Sequence, residues 1–408
     1  MTDKRKSIGW YAVLCTGIVN ATLVLALLNS LLFLHYRGAN RRSRSSEKII
    51  RRYGTNTLQA VYPNLDLSQI RNLLEETWDR RLFDYEALTQ FRERPFEGRY
   101  VNVESCGYRR TKNQGPWPPD PSAFNVFLFG GSTTFGYGVP DEETLASHLQ
   151  DVLTPALGMD VRVYNFGRGF YYSALERLLL EKLLLNGDIP DQAVFVDGLN
   201  ERFEFEGNPL LAAQIQQSFD MADRVRAIDF LAQWVRRQPL ARWIQQWWRT
   251  LKEEDEDGSL DEDSFSGEPA YATPPARKPA PGEDPYGIMI ERYLRNKRMI
   301  ESACEAFDIP VLFVWQPIPY YKYNLRHHPF ARKNRNSPRA RRYTMRYTRM
   351  ADWVRAQPMG TNFLWCADIQ EGVQEALYVD DVHYSPRLNR LLAKAIASGI
   401  VERAHSAP

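Results

Sequence analysis

The sequence predicts an α/β protein built on a doubly wound parallel sheet, and three observations carry this prediction. Short apolar runs of strand length alternate along the chain with longer helical patterns. A glycine turn links the first such run to a helix, and an N-cap serine followed by proline opens the last helix. Alternating strands and helices favour a parallel sheet, because each helix returns the chain to the end where the previous strand began.

About five strands are expected, each a short run rich in Val, Ile, Leu and Phe. They lie at residues 125–129, 161–164, 193–196, 311–315 and 363–366. Between and around them, apolar residues at helical spacing and capping signals predict helices. These helices are expected after Asp66, around 145–153, from a Ser173–Glu176 capping box to Gly187, around 299–307 and after Ser385–Pro386.

The composition allows one large domain with attached segments, since the chain has 408 residues of which 44% are hydrophobic. The formal net charge of +2 gives no general attraction to nucleic acid, and no nucleic-acid-binding module accompanies the local basic clusters. The four cysteines and six histidines lack metal-ligand spacing, so neither a metal nor another cofactor is expected. The sequence does not indicate an oligomeric state.

A transmembrane helix is predicted over residues 8–35, because no Asp, Glu, Lys or Arg lies between Lys6 and Arg37. Roughly 20 apolar residues suffice to cross a bilayer. A cleaved signal peptide is the alternative. The apolar run is longer than a typical signal peptide core, and no small-x-small cleavage site follows it before Arg37, so we favour an anchor.

The remaining organisation follows from composition. Residues 1–7 form a short tail, 36–120 a basic juxtamembrane segment with a helical and extended preamble, and 121–408 the main domain. Two insertions interrupt this domain. Residues 205–251 carry helical patterns with Trp and Arg, typical of a lid or a membrane-surface element, or of tryptophans packed on the core. Residues 252–285 are acidic and proline-rich, which predicts a disordered loop.

The loop after the first strand exposes a candidate nucleophile, Ser132, at a strand-to-helix turn. A serine there is by itself more typical of a helix cap. The nucleophile elbow of the usual α/β-hydrolases needs glycine where Thr134 stands, and no Gly-Lys-Ser/Thr ends the loop as a Walker A motif requires. Both of those families are therefore disfavoured.

A second loop gives Ser132 a catalytic context. Asp380 precedes His383 by three residues just before the last helix, and a nucleophilic serine needs a base that a carboxylate orients. Asp381 is the alternative carboxylate. The other histidines lie in less suitable places, and His327 and His328 are expected to be solvated in a basic loop.

Two further strand ends supply hydrogen-bond donors. Asn200 follows the third strand, and Gly167 and Gly169 follow the second. Ligands of open α/β sheets bind at the carboxyl ends of the strands. The Asn200 amide, a glycine N–H and the N–H of Ser132 are therefore candidates for binding an oxyanion.

These four blocks, in this order and spacing, resemble the SGNH (GDSL-like) hydrolase family. The resemblance runs from about residue 125 to residue 400, outside the insertions. It implies a flavodoxin-like, three-layer α/β/α fold with Ser132 as nucleophile, His383 as general base and Asp380 as its orienter. Asn200 and a glycine of the second block would complete the oxyanion hole.

The chain departs from the family pattern at several positions. Gly131 replaces the aspartate that precedes the nucleophile, and Glu201 follows Asn200 where aspartate is frequent. The family's second-block glycine falls on Phe170. We therefore expect Gly169 to be the oxyanion donor, with Gly167 as the alternative.

The resemblance implies an esterase or deacetylase acting on an acylated glycan or lipid. An O-acyltransferase on a surface polysaccharide would use the same residues, whereas a non-catalytic glycan-binding or assembly protein would tolerate a broken triad. Residues 326–349 contain nine Lys or Arg and no acid, which is typical of a site for an anionic glycan or lipid headgroup, or of a solvated loop.

Two arguments disagree about the side of the membrane on which the main domain lies. Seven basic residues follow the apolar helix closely and three precede it, which by the positive-inside rule keeps the main domain in the cytoplasm. Membrane-tethered members of the family that the chain resembles usually act outside the cytoplasm. We expect the catalytic domain to be extracytoplasmic.

Overall fold

The computed structural model describes residues 2–42, 45–201, 238–240, 243, 282–331 and 336–406. It divides into two compact units, one made of Met1–Lys48 and Gln214–Ser266, the other of Ile49–Ala213 and Gly267–Pro408. Most of the predicted insertion at 205–251, and the predicted disordered loop up to residue 281, lie outside the described residues.

The first unit contains one long helix, α1 (Thr2–Arg42). Its segment Val13–Phe33 has 21 residues, a mean hydropathy of 1.8 and no part buried inside the protein. This segment is long and apolar enough to cross a membrane, and a signal sequence has the same properties.

The second unit begins with small elements that precede the main sheet. Three short helices come first, α2 (Ser45–Tyr53), α3 (Thr55–Val61) and α4 (Leu67–Glu75), and a π-helical turn continues α4 over Glu76–Arg80. Two antiparallel strand pairs follow: β1 (Phe83–Glu86) with β2 (Gln90–Glu93), and β3 (Phe96–Glu97) with β4 (Asn102–Val103). Asp66 caps α4 and forms a capping box with Gln69, so the helix predicted after Asp66 is present.

The main sheet alternates with helices as predicted. Its elements are β5 (Phe124–Gly130), α5 (Ser132–Phe135), α6 (Leu145–Leu157), β6 (Val161–Asn165), α7 (Ser173–Leu185), β7 (Gln192–Asp197), α8 (Pro285–Glu305), β8 (Val311–Trp315), α9 (Pro338–Ala356), β9 (Phe363–Trp365) and α10 (Pro386–Ser406).

The five strands are parallel in the order β6-β5-β7-β8-β9. In chain order this is 2-1-3-4-5, the flavodoxin-like arrangement. One face of the sheet packs on α6 and α10 through a core that includes Leu128, Leu149 and Leu392. The other face packs on α7 and α8 through a core that includes Phe129, Leu179 and Ile300. The predicted doubly wound, three-layer fold is therefore confirmed.

Two local predictions were wrong, and one predicted helix is present but longer than expected. Ser173 is the first residue of α7 and makes no capping box with Glu176; its N–H and hydroxyl instead donate to the carboxylate of Glu201. The helix expected around 299–307 already begins at Pro285, where Asp284 caps it. Much of the predicted basic loop at 326–349 is helix α9.

Candidate active site

The candidate nucleophile Ser132 is the first residue of α5, directly after the central strand β5. The N–H groups in the first turn of a helix have no intrahelical carbonyl to donate to, so the Ser132 N–H has no hydrogen-bond partner within the helix. Gly131 precedes it, and a Cβ on Gly131 would lie 2.6 Å from Nδ2 of Asn200. Glycine therefore lets the Asn200 amide lie directly beside the nucleophile.

His383 and Asp380 lie in the loop before α10. The His383 N–H and the Val382 N–H both donate to Oδ1 of Asp380, at 2.8 and 2.9 Å, which folds the loop around the carboxylate. The other oxygen, Oδ2, lies 2.7 Å from Nδ1 of His383. Nε2 of His383 lies 2.9 Å from Oγ of Ser132. The structure thus joins the three predicted residues in one hydrogen-bonded chain.

The electrostatics of Asp380 favour its ionised form. Burial by itself raises the pKa of this carboxyl, but the nearby His383 and the hydrogen bonds from His383 and Val382 outweigh burial and hold the pKa below its usual range. A carboxylate at Nδ1 places the imidazole proton there, which leaves Nε2 as the acceptor for the Ser132 hydroxyl.

Asp381, the alternative orienter, has a different set of contacts. Its carboxylate lies 3.7 Å from the guanidinium of Arg52. Burial raises the pKa of Asp381, and the neighbouring Asp380 raises it further, while Arg52 opposes both effects. Of the two carboxylates, Asp380 makes the hydrogen bond to the His383 ring, so the geometry favours Asp380 as the candidate orienter.

The amide of Asn200 follows β7 and lies at the same edge of the sheet. Its Nδ2 donates to the carbonyl of Tyr171 at 2.9 Å. The side chain is half-buried. Since Nδ2 carries two hydrogens, one donor is left over for a ligand beside Gly131.

The glycine expected to be the oxyanion donor is already engaged. The N–H of Gly169 donates to Oε1 of the buried Glu93 at 2.8 Å. The N–H of Gly167, the alternative, donates to the Asn165 side chain at 3.0 Å. Neither glycine N–H is therefore available in this structure, because strand β2 and the end of β6 supply acceptors to them.

Phe170 has the backbone that the pattern assigns to glycine. Its φ is +64°, in the left-handed region that non-glycine residues rarely adopt. Within the described part of the chain, its N–H makes no backbone hydrogen bond, although its neighbour Tyr171 donates to Arg168. The N–H groups of Gly167 and Gly169 have side-chain acceptors, whereas the Phe170 N–H has no acceptor among the backbone carbonyls of the described residues.

Two aromatic side chains that the sequence did not single out enclose the histidine. The Tyr137 ring stacks on the His383 ring with centroids 5.0 Å apart, and the Trp78 ring meets the His383 ring edge-on at 5.5 Å. Trp78 comes from the π-helical turn of the preamble. In the sequence, Trp78 shares helical spacing with Ile70, Leu73 and Leu74 after Asp66, a pattern that predicts packing and does not indicate a site.

The arrangement can activate a hydroxyl and stabilise negative charge beside it. A base lies within hydrogen-bond reach of Ser132, a carboxylate fixes the base, and polar hydrogens surround the same turn. Among the residues that the structure describes, no group of three or more His, Cys, Asp or Glu side chains could hold a metal ion.

No family model and no curated protein sequence matches this chain. Solved structures do match. A lipase from a goat rumen metagenome is 10% identical, with a TM-score of 0.35, over 68% of this chain and 97% of that one. A member of the lipolytic G-D-S-L family from Veillonella parvula is 10% identical, with a TM-score of 0.33, over 68% and 97%.

A lipase/acylhydrolase from Enterococcus faecalis is 14% identical, with a TM-score of 0.32, over 68% of this chain and 96% of that one. At such identities and TM-scores, the function of this chain rests on the geometry of its own site.

Proposed function

We propose that this chain is a serine-dependent acyl-ester hydrolase of the esterase or deacetylase type. The observation that carries the proposal is the continuous chain of contacts from Asp380 through His383 to Ser132. A solvated or structural histidine has no need of a serine at one ring nitrogen and a buried carboxylate at the other.

In the proposed reaction, Oγ of Ser132 attacks the acyl carbonyl while its proton passes to Nε2 of His383. The tetrahedral intermediate collapses, and the departing alcohol takes the proton from His383. Water then attacks the acyl-enzyme, giving its proton to His383, and the second collapse releases the acid and regenerates Ser132. Asp380 stays ionised and stabilises the imidazolium in both halves.

We assign the oxyanion donors to the N–H of Ser132, the N–H of Phe170 and the amide of Asn200. Phe170 replaces the predicted Gly169, whose N–H is bonded to Glu93. Such donors are worth roughly 10² to 10³ in rate each, because they are aimed at charge that develops only in the transition state.

For the substrate, we propose an acylated glycan or lipid. The half-buried indole of Trp78 lies beside His383, and a flat aromatic surface at this place suits a sugar ring or an acyl chain. Transfer of the acyl group to an acceptor hydroxyl would use the same residues. Comparing products with and without an acceptor sugar separates hydrolysis from transfer, and the intact triad argues against a non-catalytic protein.

The proposal is tested by replacing the nucleophile in the full-length chain purified in detergent. We expect Ser132→Ala to lower kcat/KM on a short-chain nitrophenyl ester by about 10³-fold or more, because no other group can form the acyl-enzyme. Ser122→Ala, an exposed serine before β5, is the matched control and should keep full activity. Wild-type rates in Ser132→Ala would disprove the assignment.

We further propose that α1 anchors the chain and that the catalytic domain is extracytoplasmic. This placement goes against the seven basic residues that follow the helix. A C-terminal alkaline phosphatase fusion, which is active only outside the cytoplasm, should therefore be active, and a C-terminal β-galactosidase fusion should not. The reverse result would place the site in the cytoplasm and shift the substrate toward a lipid or a metabolite.

A further inference from the structure

One arginine of the basic helix α9 points inward, toward the loop that carries Asn200. Arg346 is buried, with 6% of its surface exposed. Its Nη2 donates to the carbonyl of Leu199 at 2.8 Å, and its Nη1 donates to the carbonyl of Glu201 at 2.6 Å. These two carbonyls stand immediately before and after Asn200. One rigid guanidinium thus holds the backbone on both sides of the proposed oxyanion amide.

A second contact holds the Asn200 loop on the C-terminal side of Asn200. The carboxylate of Glu201 accepts the N–H of Ser173 at 2.7 Å and its hydroxyl at 3.2 Å, which fastens the loop to the start of α7. On the N-terminal side, Gly198 has a φ of +123°, so the chain leaves β7 through a conformation that side chains disfavour. No regular secondary structure holds Asn200, so its position depends on these backbone contacts together with the hydrogen bond from its own amide to the Tyr171 carbonyl.

A purely electrostatic role for Arg346 is the alternative. Burial raises the pKa of Glu201, and the charges of Arg292 and Arg346 together with the bonds from Ser173 oppose that rise. Charge compensation, however, requires only a cation near the carboxylate. The observed donors point to two main-chain carbonyls that flank one residue, which is a geometry suited to fixing a peptide segment.

We propose that Arg346 is a positioning residue that fixes the Asn200 amide for oxyanion binding. This inference rests on the proposed ester hydrolysis. It assigns a role to one member of the basic segment 326–349 that differs from binding an anionic headgroup.

The test is a double-mutant cycle on a nitrophenyl ester with full-length protein in detergent. We expect Arg346→Met to lower kcat by about 10- to 100-fold, because small displacements of catalytic groups cost rate on this scale. The KM should stay within about twofold, since the amide acts on the transition state. In an Asn200→Ala background, Arg346→Met should lower kcat by less than about threefold, because the amide it positions is gone.

Arg342→Met is the matched control, since Arg342 is exposed on the same helix, and it should leave kcat and KM unchanged. Should Arg346→Met not fold, Arg346→Lys keeps the buried charge but cannot hold both carbonyls, and the same cycle applies to it. Equal losses of kcat with and without Asn200 would overturn the positioning role. Failure of the positioning role is distinguishable from failure of the proposed ester hydrolysis, because the latter would appear as full activity of Ser132→Ala.

Discussion

At the scale of single residues, the geometry of His383 depends on more than its two hydrogen bonds. The ring stacked on it, Tyr137, lies under the guanidinium of Arg81 at 4.2 Å from the ring centroid. Arg81 forms a buried ion pair with Glu93, and Glu93 also accepts the N–H of Gly169. One buried ion pair therefore supports both the ring beside the base and the loop of the second block.

A second buried histidine, His328, was expected to be solvated, and that prediction was wrong. Its exposed fraction is 0%, its ring stacks on Tyr378 at 4.9 Å, and its Nδ1 accepts the N–H groups of Phe330 and Ala331. Burial is the main cause that lowers the pKa of His328 to about 4, although the nearby Asp380 opposes it. The residue is thus a neutral structural support behind the catalytic loop.

This predicts a loss of stability in acid. The unfolded chain takes up a proton at His328 near pH 6.5, whereas the folded chain does so only near pH 4. The free energy of unfolding should therefore fall as the pH drops through this window, by up to about 3 kcal/mol from this residue. His328→Asn, whose side-chain oxygen can replace Nδ1 as acceptor, should remove that part of the pH dependence.

Urea unfolding followed by tryptophan fluorescence at pH 4 to 7 measures the effect. His327→Gln is the neighbouring control, since His327 is only half-buried, and it should keep the wild-type pH dependence. If the free energy of unfolding of His328→Asn changed with pH as that of the wild type does, His328 would have the same pKa in the folded and the unfolded chain.

Part of the candidate site could be predicted from single residues and part could not. Ser132, Asp380 and His383 could be chosen as candidates because serine-based catalysis needs fixed residue types next to strand ends, and the structure brings the three side chains within hydrogen-bond distance. The state of Gly169 could not be predicted, because its acceptor Glu93 lies 76 residues away in sequence. The left-handed backbone of Phe170 carries no sequence mark, since phenylalanine gives no signal for a positive φ.

At the scale of helices and strands, the five main strands were predicted because each contains a short run that is mostly apolar, and four of the five are almost entirely buried. The hairpin of β1 and β2 was missed for the opposite reason. Its charged residues find partners within the fold, as Asp84 does with Arg94 just after β2 and Glu86 does with Arg168, so no simple alternation marks the strands. Polar strands of this kind become recognisable only when their partners are known.

Helix α9 was missed because its buried face is not uniformly apolar. Tyr343, Tyr347 and Met350 pack inward, and Arg346 is buried among them. A run of arginines predicts a solvated segment when each charge is assumed to need water. Here the main-chain carbonyls beside Asn200 take the place of water for Arg346, and nothing local in the sequence indicates that.

The capping box at Ser173 was a local pattern overridden by tertiary contacts. The hydroxyl of Ser173 has the carboxylate of Glu201 as its partner, 28 residues further along the chain. Glu176 is buried, and burial together with the adjacent Asp197 raises its pKa. The buried side chain of Glu176 therefore does not accept the backbone N–H at the start of its own helix, as a capping box would require.

At the scale of the whole molecule, the preamble belongs to the catalytic unit. The carboxylate of Glu76 accepts the N–H groups of Arg99, Tyr100 and Val101. Arg109, completely buried, donates to the carbonyls of the turn after Ser132 and pairs with Asp141. The turn that presents the nucleophile is therefore held from outside the main sheet.

This organisation predicts the result of two truncations. A chain that begins at Ser45 should fold and keep Ser132-dependent esterase activity within about threefold, because the unit of Ile49–Ala213 and Gly267–Pro408 has its own hydrophobic core. A chain that begins at Pro121 lacks Trp78, Glu93 and Arg109, and should be insoluble or about 100-fold less active.

The two truncated chains are compared by their solubility, their circular dichroism spectra and their rates of nitrophenyl ester hydrolysis. The chain that begins at Ser45 and carries Ser132→Ala serves as the inactive control. Equal activity of the shorter chain would mean that the preamble is dispensable for positioning the site.

The contact between Gly131 and Asn200 also constrains how this sequence can diverge. A Cβ at position 131 would lie 2.6 Å from the Asn200 amide, so any larger residue beside the nucleophile requires the amide to move. An aspartate at position 131 would therefore displace the Asn200 amide from its place beside Ser132. We expect the residue at position 131 to set how close the residue at position 200 can lie to Ser132, so that the two positions change together when this sequence diverges.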